Sequence, residues 1–313
     1  MAYPIYPFRW NISKRSQLGA LLRSAELLGR DENDPFRIGL LRYCRLGAAA
    51  DEITAFNWLK STLLSCSARI IGLAGDSDLV FVGRSPESIF DLLSGLLFDT
   101  SWQKRLSLLH FSTGCLNDRE IARHYAAKIP ELRHYLTHLQ LDPFSLAKRE
   151  RPVALVDIVA TGETLGYLVG ILYGWRKELD VDWHAVRRKI RIVGLTEQKT
   201  PSPGAYRWFQ NVRWLRLLAP GNVKNVSIPS DFYDYLGVGQ PKLAISYAPH
   251  RWGDAEVLTP RYDRYTLAAL RMAVSLFDAG QERQKRLAFA RELCIQPAMQ
   301  FRWLRDLVLE LKS

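Results

Sequence analysis

Residues 153–165 read VALVDIVATGETL. An apolar run, rich in valine, ends in Asp157. Four positions later the small and polar residues Thr161-Gly162-Glu163-Thr164 lead into a second apolar segment. The order is strand, turn, helix, with a carboxylate at the strand tip and a small-residue loop over a helix N-terminus. The first amide N–H groups of a helix have no partner within it, so such a turn is a ready cradle for a phosphate. Gly162 lets the turn adopt a backbone conformation that most residues avoid. Leu165, Leu168, Val169 and Leu172 then share one helix face, while Gly166 and Gly170 permit a close approach at about 1 kcal/mol each in helix propensity.

Further strands are expected to either side. Asp78–Gly83 (DLVFVG) is short, β-branched and almost wholly apolar, as a central parallel strand is, and Leu106–Phe111 and Ile190–Leu195 (IRIVGL) are further strand candidates. Between them lie helical patterns. Ser85 is placed to cap one, Pro86 suits its first position, and Ile89, Leu92, Leu93, Leu96 and Leu97 form its stripe. Residues 117–139 read as largely helical. Strand–helix alternation from 78 to 196 predicts an α/β fold, a central parallel sheet flanked by helices with these four strands as neighbours.

Outside this stretch the patterns differ. Residues 1–75 read as an N-terminal helical region, with Leu18, Leu21, Leu22 and Ala25 on one repeat and a second helix over Asp51–Ala68. Residues 76–200 form the core. Residues 201–262, broken by prolines and glycines and rich in aromatic residues, read as a hood or a continuation of the core, with Lys242–Tyr247 as a further strand candidate. Residues 263–313 form a helical cap with helices at Arg264–Ala279, Gln281–Glu292 and Pro297–Leu311; Phe301, Leu304, Val308 and Leu311 are expected on one face of the last.

Composition narrows the function classes. The chain has 313 residues, enough for a sizeable core, and no apolar run of the roughly 18 residues that a membrane helix needs. The start of the sequence lacks an apolar signal segment, and Cys44, Cys66, Cys115 and Cys294 are scattered, which favours reduced thiols and a cytoplasmic setting. The net charge of +11 suits an anionic small ligand as well as a nucleic acid. Short basic clusters, among them Arg187-Arg188-Lys189-Arg191 and Arg207, Arg213 and Arg216, keep nucleic acid as an unfavoured alternative. No membrane partner is expected, and homo-oligomerisation is left open. Dinucleotide, P-loop and nucleophile-elbow motifs are missing from the sequence.

The segment VALVDIVATGETL resembles the phosphoribosyl-diphosphate-binding motif of the type I phosphoribosyltransferases: a hydrophobic strand, two acidic residues, a small-residue stretch and Thr-Gly-x-Thr. The resemblance covers residues 78 to about 196. It implies a parallel sheet with a hood over the base site, and a transferase of nucleotide metabolism that uses magnesium with phosphoribosyl diphosphate. It implies that Asp157 takes the first acidic role, on the ribose hydroxyls and the metal, and that Ala160, Thr161, Gly162, Glu163 and Thr164 hold the 5-phosphate. It also implies that Gly83, Arg84 and Ser85, after the first strand, hold the diphosphate.

The sequence departs from that pattern at Ile158, where the family has its second acid. A group that stabilises developing charge is worth a few kcal/mol, on the order of a hundredfold in rate. A phosphosugar or nucleotide sensor without catalysis is therefore the alternative. Residues 114–151, where the family commonly has a flexible hairpin, read as helical and carry His124, Lys128, Arg133, His134 and His138. Lys128 and Arg133 are candidates to meet the diphosphate, Ser112 and Thr113 to approach the same cleft. Phe232, Tyr233, Tyr235 and Trp252 are candidates to stack on a base, with Lys242 and Arg251 nearby in sequence.

Overall fold

The computed structural model of the chain describes residues 52–198, 208, 212–219, 221–242, 246–253 and 264–313. The expected helix at Leu18–Ala25, and Cys44, Tyr206, Arg207 and Phe209, lie outside the described residues.

Five strands form one all-parallel sheet: β1 Asp78–Val82, β2 Leu106–Leu109, β3 Val153–Ile158, β4 Ile190–Glu197 and β5 Val223–Ile228, in the order β2-β1-β3-β4-β5. The α/β architecture is the expected one, and the four predicted strands are neighbours. The register pairs Phe81 with Leu108 and Val156, and Asp157 with Gly194. Parallel strands need crossovers, and helices supply them on both faces.

The pleat sorts the side chains. Leu79, Phe81, Ala154, Val156, Val193, Leu195, Val226 and Ile228 enter a core shared with helices α1 (Glu52–Ala74) and α2 (Glu87–Leu96). Val80, Val82, Val153, Leu155, Ile190 and Ile192 enter a second core on the other face. There they meet α3 (Asp118–His124), α4 (Ile129–His138), α5 (Pro143–Lys148), α6 (Glu163–Trp175) and α7 (Trp183–Arg187). Burial on both faces is why the central strands read as apolar runs rather than as alternation.

After β5 the chain makes α8 (Ser230–Asp234) and a π-helical turn at Tyr235–Gly239. Helices α9 (Arg264–Gln281), α10 (Arg283–Cys294) and α11 (Arg302–Lys312) complete the core on the α1–α2 face. Helices α2 and α9 touch backbone to backbone. A β-carbon on Gly95 would overlap the Phe277 carbonyl, and one on Gly280 would lie 2.6 Å from the Leu92 oxygen. Side chains larger than hydrogen are excluded there by volume.

Several expectations are corrected. Strand β5 was not anticipated; Lys242, Ser246 and Tyr247 lie in no strand, while residues 243–245 lie outside the described residues. Ser85 does not cap α2: Pro86 is the residue preceding the first turn, and the first-turn N–H of Ser88 is met instead by the Gln240 side-chain oxygen at 3.3 Å. Residues 117–139 divide into α3, a 3₁₀ turn and α4, because Pro130 favours a fresh helix start. Phe301 is 52% exposed and precedes α11 in extended conformation, so the buried stripe is Leu304, Leu307, Val308 and Leu311. No described helix is long and apolar enough to cross a membrane. Cys66, Cys115 and Cys294 are free thiols.

Candidate functional site

Strands β1 and β3 are adjacent, but the helices that follow them diverge. Helix α2 packs on one face of the sheet and α6 on the other. The loops leaving the two strands therefore part and open a crevice at the carboxyl edge, where open α/β sheets bind ligands. One step beyond the last paired residues, Phe81 and Val156, lie Val82 and Asp157. The two segments singled out in the sequence, 83–85 and 157–164, thus flank the same crevice.

On the β1 side, Gly83 has φ 76°, and its N–H donates to the Leu109 carbonyl at 2.8 Å. A β-carbon there would sit 3.2 Å from the Phe111 oxygen, so the turn requires glycine for both conformation and space. Arg84 and Ser85 are half-buried. Their loop is held by Gln240, which is 3% exposed. The Gln240 amide donates to the carbonyls of Ser85 and Leu236, each at 2.5 Å, and its oxygen accepts the Ser88 hydroxyl at 2.6 Å. Glu87, also buried, accepts from the Tyr247 hydroxyl at 3.4 Å.

On the β3 side, Asp157 is 9% exposed. Burial holds its carboxyl well above the usual carboxylate range, partly offset by the Ile158 backbone and the Lys242 ammonium. Ile158 points into the core on the α1–α2 face, so it offers the crevice no polar group. Ala160, Thr161 and Glu163 are exposed and Thr164 half-buried. Gly162, at φ 80°, immediately precedes α6, whose start carries no side-chain cap. The first-turn N–H groups are thus left to solvent or to a ligand.

Gly162 has a second role that the sequence did not reveal. A β-carbon on it would lie 2.7 Å from the Trp208 ring, and one on Gly166 2.5 Å from Trp214. The two indoles, 6.0 Å apart, cover that side of the turn. Trp208 is fixed by a 3.1 Å bond from its N–H to Asn225, which in turn donates to Thr196 at 2.7 Å. The glycines at 162 and 166 therefore make room for the two tryptophans.

The principal residue beyond those in the motif is Lys242. Its pKa is pushed down to about 8, first by burial and then by the neighbouring Arg84 charge, against the opposing pull of Glu87 and Asp157. Its ammonium donates to the Gly237 carbonyl. Tyr233 lies in the same field: burial raises its pKa first, and Glu197, Asp157 and Asp234 add to it. Arg84, Lys242, Asp157, Glu87 and Tyr233 thus form one electrostatic cluster drawn from four separate segments. The only sequence signal for Lys242 was its place beside the aromatic region.

The other candidates fare differently. Phe232, Tyr235 and Trp252 are at most 2% exposed and offer no ring face to a base, whereas Tyr233 is half-buried. Trp252 packs on Phe111 at 5.4 Å and bonds the Ser112 carbonyl at 3.3 Å, and the Ser112 N–H donates to Tyr247. Lys128 bonds Glu131, and Arg133 makes a two-pronged bond with Glu178, so both cations are engaged elsewhere. Among the described residues no group of three His, Cys, Asp or Glu side chains is arranged to hold a metal ion. Comparison of the chain with protein-family models, with curated proteins and with solved structures finds no match.

Proposed function

We propose that the crevice between β1 and β3 binds phosphoribosyl diphosphate and supports transfer of its phosphoribosyl group to a nitrogenous base. The observation that carries this reading is the convergence of the 83–85 and 157–164 loops on one strand-edge crevice that also holds Arg84 and Lys242. In this reading the 160–164 turn takes the 5-phosphate on its N–H groups. Arg84 and Lys242 meet the diphosphate, and Asp157 orients the ribose hydroxyls.

In the reaction, a base nitrogen forms a bond to C1 of the sugar. The C1–oxygen bond to diphosphate breaks, diphosphate leaves with the electron pair, and the base nitrogen gives up a proton. The two cations would stabilise the departing charge. A single carboxylate beside a lysine does not make a protein cage for magnesium. Magnesium would come with the substrate, held mainly by its phosphates, with Asp157 as the carboxylate of the motif to meet it, and would supply positive charge against the departing diphosphate.

A second reading, a phosphosugar sensor without turnover, is favoured by one observation: Ile158 is committed to the core and leaves the second acidic position without a carboxylate. Calorimetric titration with magnesium and phosphoribosyl diphosphate tests binding, with saturable heat as the expected result and none at millimolar ligand as the overturning one. Diphosphate release across a panel of bases then separates the readings. Base-dependent release supports transfer; binding without release supports sensing.

A further inference from the structure

The other end of α6 lies roughly 20 Å from the crevice, taking about 1.5 Å per residue along its 13 residues. Three segments meet there. Trp183, at the start of α7, donates its indole N–H to the Leu217 carbonyl at 2.6 Å, joining α7 to the 3₁₀ turn Arg213–Leu217. Its ring meets Tyr173 of α6 edge-on at 5.2 Å. Asn222 donates to the Arg187 and Ile190 carbonyls at 3.3 and 2.9 Å and holds the end of α7. The fold thus gathers Arg176 and Lys177 just past the end of α6, Arg187 and Arg188 at the end of α7, and Arg213 and Arg216 from the 3₁₀ turn, which runs along α6 from Trp214 at Gly166 to Leu217 at Trp183.

Lys177, Arg188, Arg213 and Arg216 are exposed. Arg176 sits over Tyr173, its guanidinium carbon 4.5 Å from the ring centroid. A hydrogen bond from Arg176 lowers the Tyr173 pKa first, and the charges of Arg176, Lys177 and Arg216 add to it against a small opposing effect of burial. Two nearby acids are otherwise engaged: Glu178 by Arg133 and Asp182 as the cap of α7; Asp180 is exposed. The dipole of α6 accounts for Arg176 and Lys177 at its C-terminal end, but not for Arg213 and Arg216.

We propose that this corner binds single-stranded nucleic acid through its phosphates. Arginine predominates, and its planar fork matches phosphate oxygens. Helix α7 has five residues, too short to read a duplex groove, so a flexible strand fits better. Leu179 is the one large apolar side chain exposed at this corner among the described residues, which is little for insertion into a lipid surface. None of these cations is among the groups assigned to the crevice, although Trp214 of the same 3₁₀ turn packs against Gly162 and Gly166 at its edge.

The test is fluorescence anisotropy of the full chain with a labelled 20-nucleotide single strand, a duplex of the same sequence and vesicles containing phosphatidylserine, over a salt series. Expected is saturable binding to the single strand, with a log–log salt slope of about −0.7 for each phosphate neutralised. The triple variant Lys177→Glu, Arg213→Glu, Arg216→Glu should bind at least tenfold more weakly, with an unchanged circular dichroism spectrum and a flatter slope. The charge-matched control Lys104→Glu, Arg119→Glu, Arg283→Glu, at exposed sites elsewhere, should bind as the parent does. Equal loss in the control would mean that net charge alone binds the strand and would overturn the proposal. So would absence of binding at low salt, preference for vesicles or duplex, or an unaffected triple variant.

Discussion

The Ser88 hydroxyl donates to the Gln240 side-chain oxygen at 2.6 Å, across 152 positions of sequence, and both residues are buried. The same glutamine amide holds the Ser85 carbonyl. The π-helical turn after β5 thereby fixes the loop at the end of β1. Gln240→Ala leaves these buried groups without partners and is expected to lower stability by about 1–3 kcal/mol. It should also weaken phosphoribosyl diphosphate binding. Denaturant unfolding and calorimetry on the same sample check both, and unchanged affinity would show that the 83–85 loop holds itself.

Two glycines of one segment should respond oppositely. Gly162→Ala places a methyl against Trp208 at a positive φ and is expected to destabilise the fold. Gly170→Ala, in the interior of α6 with open space around its β-carbon, should stabilise it by about 1 kcal/mol. Thermal melts of the pair test the reading. A tolerated Gly162→Ala would mean that the indoles do not press on the turn.

Lys242 should trade stability against binding. The unfolded chain keeps this proton up to about pH 10.5, whereas the folded protein releases it near 8. Between those values the unfolded state binds more protons, so this group makes stability rise with pH across the window. Lys242→Met should flatten that rise and leave the fold at least as stable at pH 7. In the parent, affinity for inorganic diphosphate should fall as pH climbs through about 8; in the variant it should be weak throughout. Melts and titrations from pH 6.5 to about 10 provide the comparison.

Asp157 works in the reverse sense. Its folded form holds the proton more tightly than the unfolded chain does, so this group contributes stability in acid that is lost as pH rises through its raised folded value. Asp157→Asn, neutral at every pH, should therefore melt higher than the parent at pH 7, with the gap narrowing as pH falls. It should bind ribose 5-phosphate less well. A lower melting point at pH 7 would show that the ionised carboxylate is better compensated in the fold than its burial implies.

The parts of this fold that were legible in the sequence are those buried on both sides. Strands β1, β3 and β4 announce themselves as apolar runs because each has a neighbour on either edge and a core on either face. Strand β5, VKNVSI, lies at the sheet edge with Lys224 exposed and Asn225 half-buried, so its pattern is diluted by polar residues. Phe301 was placed on the α11 stripe by spacing alone, yet the backbone turns extended at that residue and carries it outward. At the site, the 157–164 loop was readable because its residues are contiguous. Gln240 and Trp208 were not, and Tyr233 and Lys242 stood out only as members of the aromatic-rich region, because only the path of the chain after β4 brings them to the crevice.

The seam of Gly95 and Gly280 bears on how the molecule is made. Helix α2 follows directly from the 83–85 loop, but its partner α9 is synthesised almost two hundred positions later. While the ribosome is still translating the middle of the chain, the side of α2 that meets α9, around Leu92, Gly95 and Leu96, has no permanent cover. Contacts so distant in sequence close slowly. A nascent chain arrested before Arg264 should therefore recruit chaperones through α2 until α9 has left the exit tunnel.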